Sequence, residues 1–416
     1  MKLKRVVVTG LGALTPIGNN VPDFWNALLK GVSGANPITY FDSEKFKTKF
    51  ACELKNFDIL GFLDAKEARK MDPCSQYALV ASMEAVRNSG LEPDKIDLTR
   101  VGVILGTGVG GLLTIMDPLQ DFFESDRTPR FSPFFIPKVL PDMISGTVSI
   151  RFGFKGPNYT TTSACASSAN AIIDAYHFIA MGKSDIMVTG GSEACIAEPV
   201  VAGFNAMHAL STRNDDYKTA SRPFDKGRDG FVMGEGSAII ILEEYEHALR
   251  RGAVIYGEIG GGGLSADAYH ITAPHPEGYG AMQSMKSAVE DAGMLLTDID
   301  HINTHGTSTP PGDMAECKAI ENLFGDHAPN ILINSTKSMT GHLLGAAAAA
   351  ESIATILSLH EGIIPPTINQ FEADPNISEL NFVKNKYVKK NIKAALTNSF
   401  GFGGHNASIL YKKYQV

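Results

Sequence analysis

The chain has 416 residues, 44% of them hydrophobic and 20% charged, which is enough for two or three domain-sized units around a large core. Its net charge of -8 argues against a general nucleic-acid binder, and no apolar run reaches the length of a membrane span, so we expect neither partner. The five cysteines form no Cys-x-x-Cys pair, which argues against a disulfide framework or zinc site and favours a reducing, cytoplasmic location.

Buried strands alternate with helices along the chain. The first strand is predicted at Arg5-Val-Val-Val-Thr9 and is closed by Gly10-Leu-Gly12. The later predicted elements are helices at 75–87 and 169–181 and strands at 101–105, 185–189 and 237–242. This alternation predicts an α/β architecture with central sheets.

An internal repeat divides the chain. The segment 86–97 matches the segment 289–300 at a constant offset of 203 residues. A looser match pairs Cys165-Ala-Ser-Ser-Ala with His342-Leu-Leu-Gly-Ala. Duplication therefore predicts two similar halves, residues 1–253 and 254–416. It also predicts that Cys165 and His342 lie at equivalent helix starts facing one cleft.

Cys165 stands among small residues at a predicted helix start, in Thr-Thr-Ser-Ala-Cys165-Ala-Ser-Ser. The unpaired N–H groups and the positive end of the helix dipole favour a thiolate there, and the small neighbours leave room for an acyl chain. On this window alone, a buried structural cysteine is an equally open interpretation. The other cysteines lack such a setting: Cys52, Cys74, Cys195 and Cys317.

Two histidines lie in glycine-containing loops between predicted strands and helices. They are His305 in Asn-Thr-His305-Gly-Thr and His342 in Lys337-Ser-Met-Thr-Gly-His342. A neutral imidazole suits a helix start and can donate its N–H to a developing enolate. No His-Glu-x-x-His or similar spacing is present, so we expect no catalytic metal.

Two glycine-rich loops are open to more than one interpretation. The run 106–111 fits G-x-G-x-x-G but lies far from the first strand, so we interpret it as a tight turn lining a cleft and not as a dinucleotide site. The loop Gly401-Phe402-Gly-Gly404 could be a plain hairpin turn. Alternatively, its glycines make Phe402 a mobile gate and bring a backbone N–H close to substrate.

Together these windows closely resemble the β-ketoacyl-acyl carrier protein synthases, most closely the elongating type II enzymes of bacterial fatty acid synthesis, nearly end to end. The resemblance implies the thiolase fold, with two pseudo-duplicated halves in a layered α-β-α-β-α sandwich, and a homodimer. It implies a decarboxylative Claisen condensation of malonyl-carrier protein with an enzyme-held acyl chain. No cofactor is implied beyond the phosphopantetheine of the acyl carrier protein.

The resemblance also implies roles for individual residues. Cys165 would hold the acyl chain, and His305 and His342 would promote decarboxylation of the malonyl group. The backbone N–H groups of Cys165 and Phe402 would form an oxyanion hole, and Lys337 and Glu316 would be a buried charged pair that orders the histidines. Further implied positions are Thr307 and Asn398 in support, His270 and Thr272 on the malonyl side, and Val109 at the acyl-pocket floor. His405, beside the gate, departs from the Thr that many members carry.

An acidic carrier protein and an acidic enzyme need a local basic patch to associate. The candidate patch is Lys66, Arg69, Lys70, Arg127 and Arg130, although such residues can equally be solvated surface charges.

Some relatives of this fold remain alternatives and others do not. A discrete polyketide ketosynthase has the same Cys-His-His set and stays open. A non-catalytic chain-length-factor-type subunit would lack Cys165, and an initiating synthase uses Cys-His-Asn. A biosynthetic thiolase needs a second cysteine near the C-terminus, and none follows Cys317.

Overall fold

The computed structural model describes residues 3–377 and 380–415. Its strands are β1 (Val6–Leu14), β2 (Asn36–Pro37), β3 (Phe50–Ala51), β4 (Val101–Gly106), β5 (Asn158–Thr161), β6 (Ile186–Glu193), β7 (Gly236–Glu244), β8 (Gly257–Ala266), β9 (His301–Asn303), β10 (Leu332–Asn334), β11 (Ile363–Ile364), β12 (Val388–Lys389), β13 (Ala394–Gly401) and β14 (His405–Lys412). Its α-helices are α1 (Val21–Lys30), α2 (Ala65–Ala68), α3 (Pro73–Ser89), α4 (Leu112–Glu124), α5 (Phe135–Val139), α6 (Met143–Phe152), α7 (Ser167–Ala180), α8 (Glu198–Ala206), α9 (Tyr245–Arg250), α10 (Tyr279–Asp291), α11 (Pro310–Phe324), α12 (Lys337–Thr340) and α13 (Ala347–Glu361). The predicted helices and strands all overlap these elements.

One sheet runs through the molecule in the order β10-β9-β13-β14-β8-β1-β7-β6-β4-β5. From β1 outward, the pairings to β7, β6, β4 and β5 are antiparallel, antiparallel, parallel and parallel. From β8 outward, the pairings to β14, β13, β9 and β10 follow the same sequence. The two halves of the sheet therefore have one topology, as the internal repeat predicts.

Helices separate and cover the two halves of the sheet. Helices α7 and α13 pack on each other in the middle, with α7 against β4 and β6 and α13 against β13 and β7. Helix α3 covers the outer face of β1 and β7, and α10 covers that of β8 and β14. These are the five layers of the α-β-α-β-α sandwich. Among the described residues, no helix is both long enough and apolar enough to cross a membrane.

The predicted end of the first strand at Gly10 is wrong, because β1 continues to Leu14. A Cβ built on Gly10 would lie 2.5 Å from the carbonyl oxygen of Ala85, and one built on Gly12 would lie 2.0 Å from that of Ala81. These glycines do not turn the chain. They let the backbone of α3 rest directly on the strand.

The second half uses the same device. A Cβ on Gly261 would lie 2.5 Å from the carbonyl oxygen of Ala288, and one on Gly263 would lie 2.0 Å from that of Ser284. Ser284 and Ala288 follow Ala81 and Ala85 at the 203-residue offset of the sequence repeat. The repeat thus marks the helix that sits on the first strand of each half.

Candidate active site

Cys165 lies in a tight connection between β5 and α7, two residues before the helix begins. Ala164 adopts φ 50°, in the left-handed region that non-glycine residues avoid. The Ser167 hydroxyl fixes this turn by donating to the carbonyl of Ala164 at 2.6 Å and accepting from the N–H of Ser163 at 2.9 Å. From across the interface between the halves, the Ser399 hydroxyl donates to the carbonyl of Cys165 at 2.7 Å. The strained turn points the thiol into a cavity of about 380 Å³.

His342 faces Cys165 from the other half. Its backbone is held in a short bridge, with its N–H donating to Val232 O at 2.7 Å and its carbonyl accepting from Gly234 N at 2.9 Å. The ring nitrogen Nε2 lies 3.0 Å from Cys165 Sγ, and Nδ1 accepts the N–H of Leu344 at 3.3 Å. Because Nδ1 accepts, a neutral ring carries its proton on Nε2. His342 therefore presents an N–H donor to the sulfur.

His305 follows β9, and its ring stands nearly perpendicular to that of His342 with centroids 5.3 Å apart. Glu316 of α11 fixes the loop by accepting the backbone N–H groups of His305 at 2.9 Å and Gly306 at 2.8 Å. The amide of Asn398 donates to the same carboxylate at 3.1 Å. Glu316 and Asn398 thus fix the loop that carries His305.

The predicted ion pair between Lys337 and Glu316 is wrong in its acidic partner. Lys337 forms its salt bridge with Glu351 of α13, and the two side chains are 1% and 3% exposed. Glu316 is already held by the backbone N–H groups of the His305 loop. Glu351 lies outside the Lys337 motif, and only the packing of α13 brings it there. Its one sequence signal is an acid inside an otherwise buried apolar and small-residue helix, which requires a partner.

The two histidines are neutral and the cysteine is a thiol. Burial and then the charge of Lys337 hold the pKa of His305 and of His342 well below the ordinary range. Burial raises the pKa of Cys165 to about 12, against the lowering effect of Lys337. Desolvation of the charge therefore opposes the thiolate that the helix start favours.

Phe402 lies in the β13–β14 hairpin turn, where Gly403 and Gly404 have φ of 86° and 76°. This turn is also a wall of the cavity, and the role of Phe402 as a mobile gate stays a prediction. A Cβ on Gly401 would lie 3.1 Å from Cys165 N, which places the turn against the nucleophile. Within the described part of the chain, the N–H groups of Cys165 and Phe402 donate no hydrogen bond to another residue and remain available.

The structure places the other predicted residues unevenly. Val109, Thr272 and Thr307 line the cavity, and Val109 is 43% exposed within it. His270 is exposed and does not line it, but its Nδ1 accepts the N–H of Thr272 at 3.1 Å and so shapes that loop. His405 is exposed at the start of β14. The five basic docking candidates (Lys66, Arg69, Lys70, Arg127 and Arg130) are exposed, none lines the cavity, and their role stays a prediction.

Glu193 and His275 are among the cavity residues that sequence reasoning missed. Glu193 is fully buried at the end of β6, where an acid closing a buried strand was the available signal. His275 lines the mouth between the rings of Tyr269 and Tyr279, at centroid distances of 5.0 and 4.8 Å. Nothing in the local sequence distinguishes it from a surface histidine.

Cys165, His305 and His342 bring their sulfur and nitrogen atoms within 4.8 Å of one another, as a metal site would. A metal-binding histidine normally donates its second ring N–H to an acceptor. In His342 the second nitrogen, Nδ1, instead faces the N–H donor of Leu344. The arrangement suits a hydrogen-bond donor to sulfur or oxygen better than a metal ligand.

A cysteine nucleophile and two neutral histidine donors, meeting where two duplicated halves join, define a condensing enzyme of the thiolase fold. Residues 3–248 match the family model described as Beta-ketoacyl synthase, N-terminal domain, and residues 256–371 match the corresponding C-terminal domain. The chain belongs to the β-ketoacyl synthase family, whose members are acyltransferases.

Known proteins resemble the chain over its whole length. It is 49% identical over 414 residues to 3-oxoacyl-[acyl-carrier-protein] synthase 2 of Staphylococcus aureus strain COL, covering 99% of both chains. It is 36% identical to a β-ketoacyl synthase of Burkholderia phymatum, with a TM-score of 0.92 over 99% of this chain and 100% of that one. A type II polyketide ketosynthase, solved with its acyl-carrier protein and bound to the hexaketide, is 32% identical, with a TM-score of 0.92 over the same shares.

Proposed function

We propose that this chain is a 3-oxoacyl-[acyl-carrier-protein] synthase that elongates fatty acyl chains. It would condense malonyl-carrier protein with an acyl group held on Cys165. The observation that carries the proposal is the thiol of Cys165 at 3.0 Å from the Nε2 donor of His342, with the neutral ring of His305 beside it. The 49% identity to a 3-oxoacyl-[acyl-carrier-protein] synthase 2 over the whole chain supports the substrate class.

The first half-reaction moves the acyl chain to the enzyme. Sγ of Cys165 attacks the thioester carbonyl, a new C–S bond forms, the carrier thiol leaves, and the thiol proton ends on it. The N–H groups of Cys165 and Phe402 are free to bind the oxyanion of the tetrahedral intermediate. The N–H of His342 stabilises the negative charge that develops on the buried sulfur.

The second half-reaction forms the carbon–carbon bond. The bond between the malonyl carboxylate and its methylene carbon breaks, carbon dioxide leaves, and the electron pair moves toward the thioester oxygen. Neutral N–H donors on His305 and His342 stabilise this enolate. The methylene carbon then attacks the acyl thioester, and Cys165 leaves as the thiolate.

The finer assignments belong to this proposal. Carrier protein would be the partner, phosphopantetheine its only cofactor, the cytoplasm its location, and residues 1–253 and 254–416 its halves. A homodimer is supported by exposed apolar side chains in the segment 119–150 next to the edge strand β5. They include Leu119, Phe123, Ile136, Leu140 and Ile150.

A polyketide ketosynthase is the second candidate, favoured by the structural match to such an enzyme. The test incubates the purified chain with acyl-carrier proteins of increasing length and malonyl-carrier protein, followed by mass spectrometry. Elongation of a fatty chain yields one 3-oxoacyl product, two carbons longer, per primer. Repeated condensation on one primer would instead support the polyketide assignment, and no product that depends on Cys165 would refute both.

A further inference from the structure

Glu193 holds two loops of the cavity together. Its Oε2 accepts the N–H groups of Gly108 at 2.8 Å and Gly345 at 3.0 Å. Its Oε1 accepts the hydroxyl of Thr107 at 3.0 Å and the N–H of Val109 at 3.2 Å. All four partners donate to Glu193 here. Burial raises the pKa of this fully buried acid, and these hydrogen bonds oppose that rise by stabilising the carboxylate.

The loops that meet on Glu193 come from the two halves. Gly108 and Val109 follow β4, and Gly345 lies three residues after His342. A Cβ on Gly345 would lie 2.2 Å from Gly108 N, and a Cβ on Gly108 would lie 2.7 Å from Oε2 of Glu193. No side chain fits between the loops, so this carboxylate fixes their separation.

We propose that Glu193 is a positioning residue for the acyl chain, which holds the Val109 wall of the cavity at a set distance from the His342 loop. This inference rests on the proposed function and deepens it. Glu193 need not touch the reacting atoms, because its hydrogen bonds determine where Val109 stands. Acyl-length preference then depends on Glu193 as well as on the size of residue 109.

Glu193→Gln tests selectively the hydrogen bonds by which Glu193 holds the two loops together, which we call the clamp. The Thr107 hydroxyl can turn its hydrogen toward Cys74 Sγ at 3.6 Å and accept from the new amide. The remaining amide oxygen then still accepts the N–H groups of Gly108 and Gly345, while the N–H of Val109 loses its acceptor. We expect the acyl wall to loosen while the His342 loop stays in place.

A second readout reports on charge at the nucleophile. The charged groups that face Cys165 are Lys337, Glu193 and Glu351, beside the neutral rings of His305 and His342. The Glu193 charge raises the pKa of Cys165. Removing it should move the pH profile of iodoacetamide alkylation toward lower pH. A residue that acts only in folding would not move this profile.

The experiment compares wild type, Glu193→Gln and a matched control, Glu84→Gln. Glu84 also accepts two backbone N–H groups, from Ala13 at 2.8 Å and Val21 at 2.9 Å, but on α3 outside the cavity. We expect Glu193→Gln to change the ratio of kcat/KM for long and short acyl primers about tenfold, the effect of roughly one methylene in an apolar pocket. Malonyl decarboxylation should stay close to wild type in the control. The control should change neither the ratio nor the alkylation profile.

An unchanged length ratio, or an equal change in the control, would overturn the proposal. If Glu193→Gln does not fold, Glu193→Asp replaces it, keeping the charge but shortening the clamp, and should alter the length ratio without moving the alkylation profile. If wild type forms no 3-oxoacyl product, the proposed function fails. The shift in alkylation would still report on the contact between Glu193 and Cys165.

Discussion

Substituting His305 and His342 one at a time should separate the acyl-transfer step from malonyl decarboxylation. A single preorganised donor to a developing oxyanion contributes about 3–4 kcal/mol, or roughly 10²–10³ in rate. His305→Ala and His342→Ala should therefore each slow malonyl decarboxylation by about that factor. Only His342 also hydrogen-bonds Cys165 Sγ, at 3.0 Å. A hydrogen bond to a charged group contributes about 1.5–3 kcal/mol, so His342→Ala should slow acyl transfer about 10–100-fold, whereas His305→Ala should leave it near wild type.

Trapping of radiolabelled acyl-enzyme measures the first half, and release of carbon dioxide from malonyl-carrier protein measures the second. Cys165→Ala provides the opposite control, with no acyl-enzyme but some remaining decarboxylation. Circular dichroism establishes that each variant folds. If both histidine variants decarboxylate at the wild-type rate, the donors are assigned wrongly, and a general-base role toward Cys165 becomes the better explanation.

Three other changes test separate parts of the structure. Val109→Phe should block long primers and spare short ones, because the side chain fills the acyl cavity, and equal loss at every length in kcat/KM would contradict this. Reversing Arg69 and Arg130 to Glu should weaken carrier-protein binding with unchanged thermal unfolding; unaltered kinetics with carrier substrates would remove the docking hypothesis. Burial lowers the pKa of His301 to about 4 in the folded chain, against about 6.5 unfolded. The contribution of neutral His301 to the free energy of unfolding is therefore fully present above pH 6.5 and is lost as pH falls toward 4. His301→Gln should remove about 3 kcal/mol of this acid dependence in denaturant unfolding, and an unchanged slope would show that His301 does not titrate.

The sequence predicted those features that depend on local pattern. Strand and helix periodicity, the 203-residue repeat and the placement of Cys165 just before a helix all follow from short windows, whereas His342 lies in a backbone bridge five residues before α13. The course of β1 did not, because a glycine that ends a strand and a glycine that admits a helix look alike until α3 is placed over Gly12. The partner of Lys337 could not be predicted either, since Glu351 comes near it only when α13 packs between the two halves of the sheet.

Electrostatics at the nucleophile depend on the same long-range packing. A helix start favours the thiolate form of a cysteine that is exposed to water. Cys165 is instead enclosed, and the pKa of its thiol rises to about 12. How deeply a residue is buried in the fold cannot be predicted from the few residues around it in the sequence.

The shared topology of the halves has a consequence for how this catalyst can change. Cys165 lies two residues before α7 and His342 lies five residues before α13, and these two helices pack directly on each other. Substitutions on the mutual contact surface of these helices should therefore alter the approach of sulfur to imidazole without touching any substrate. Duplication thus lets one half supply the nucleophile and the other half supply the hydrogen-bond donor. The distance between them is then set by the packing of the buried helices α7 and α13.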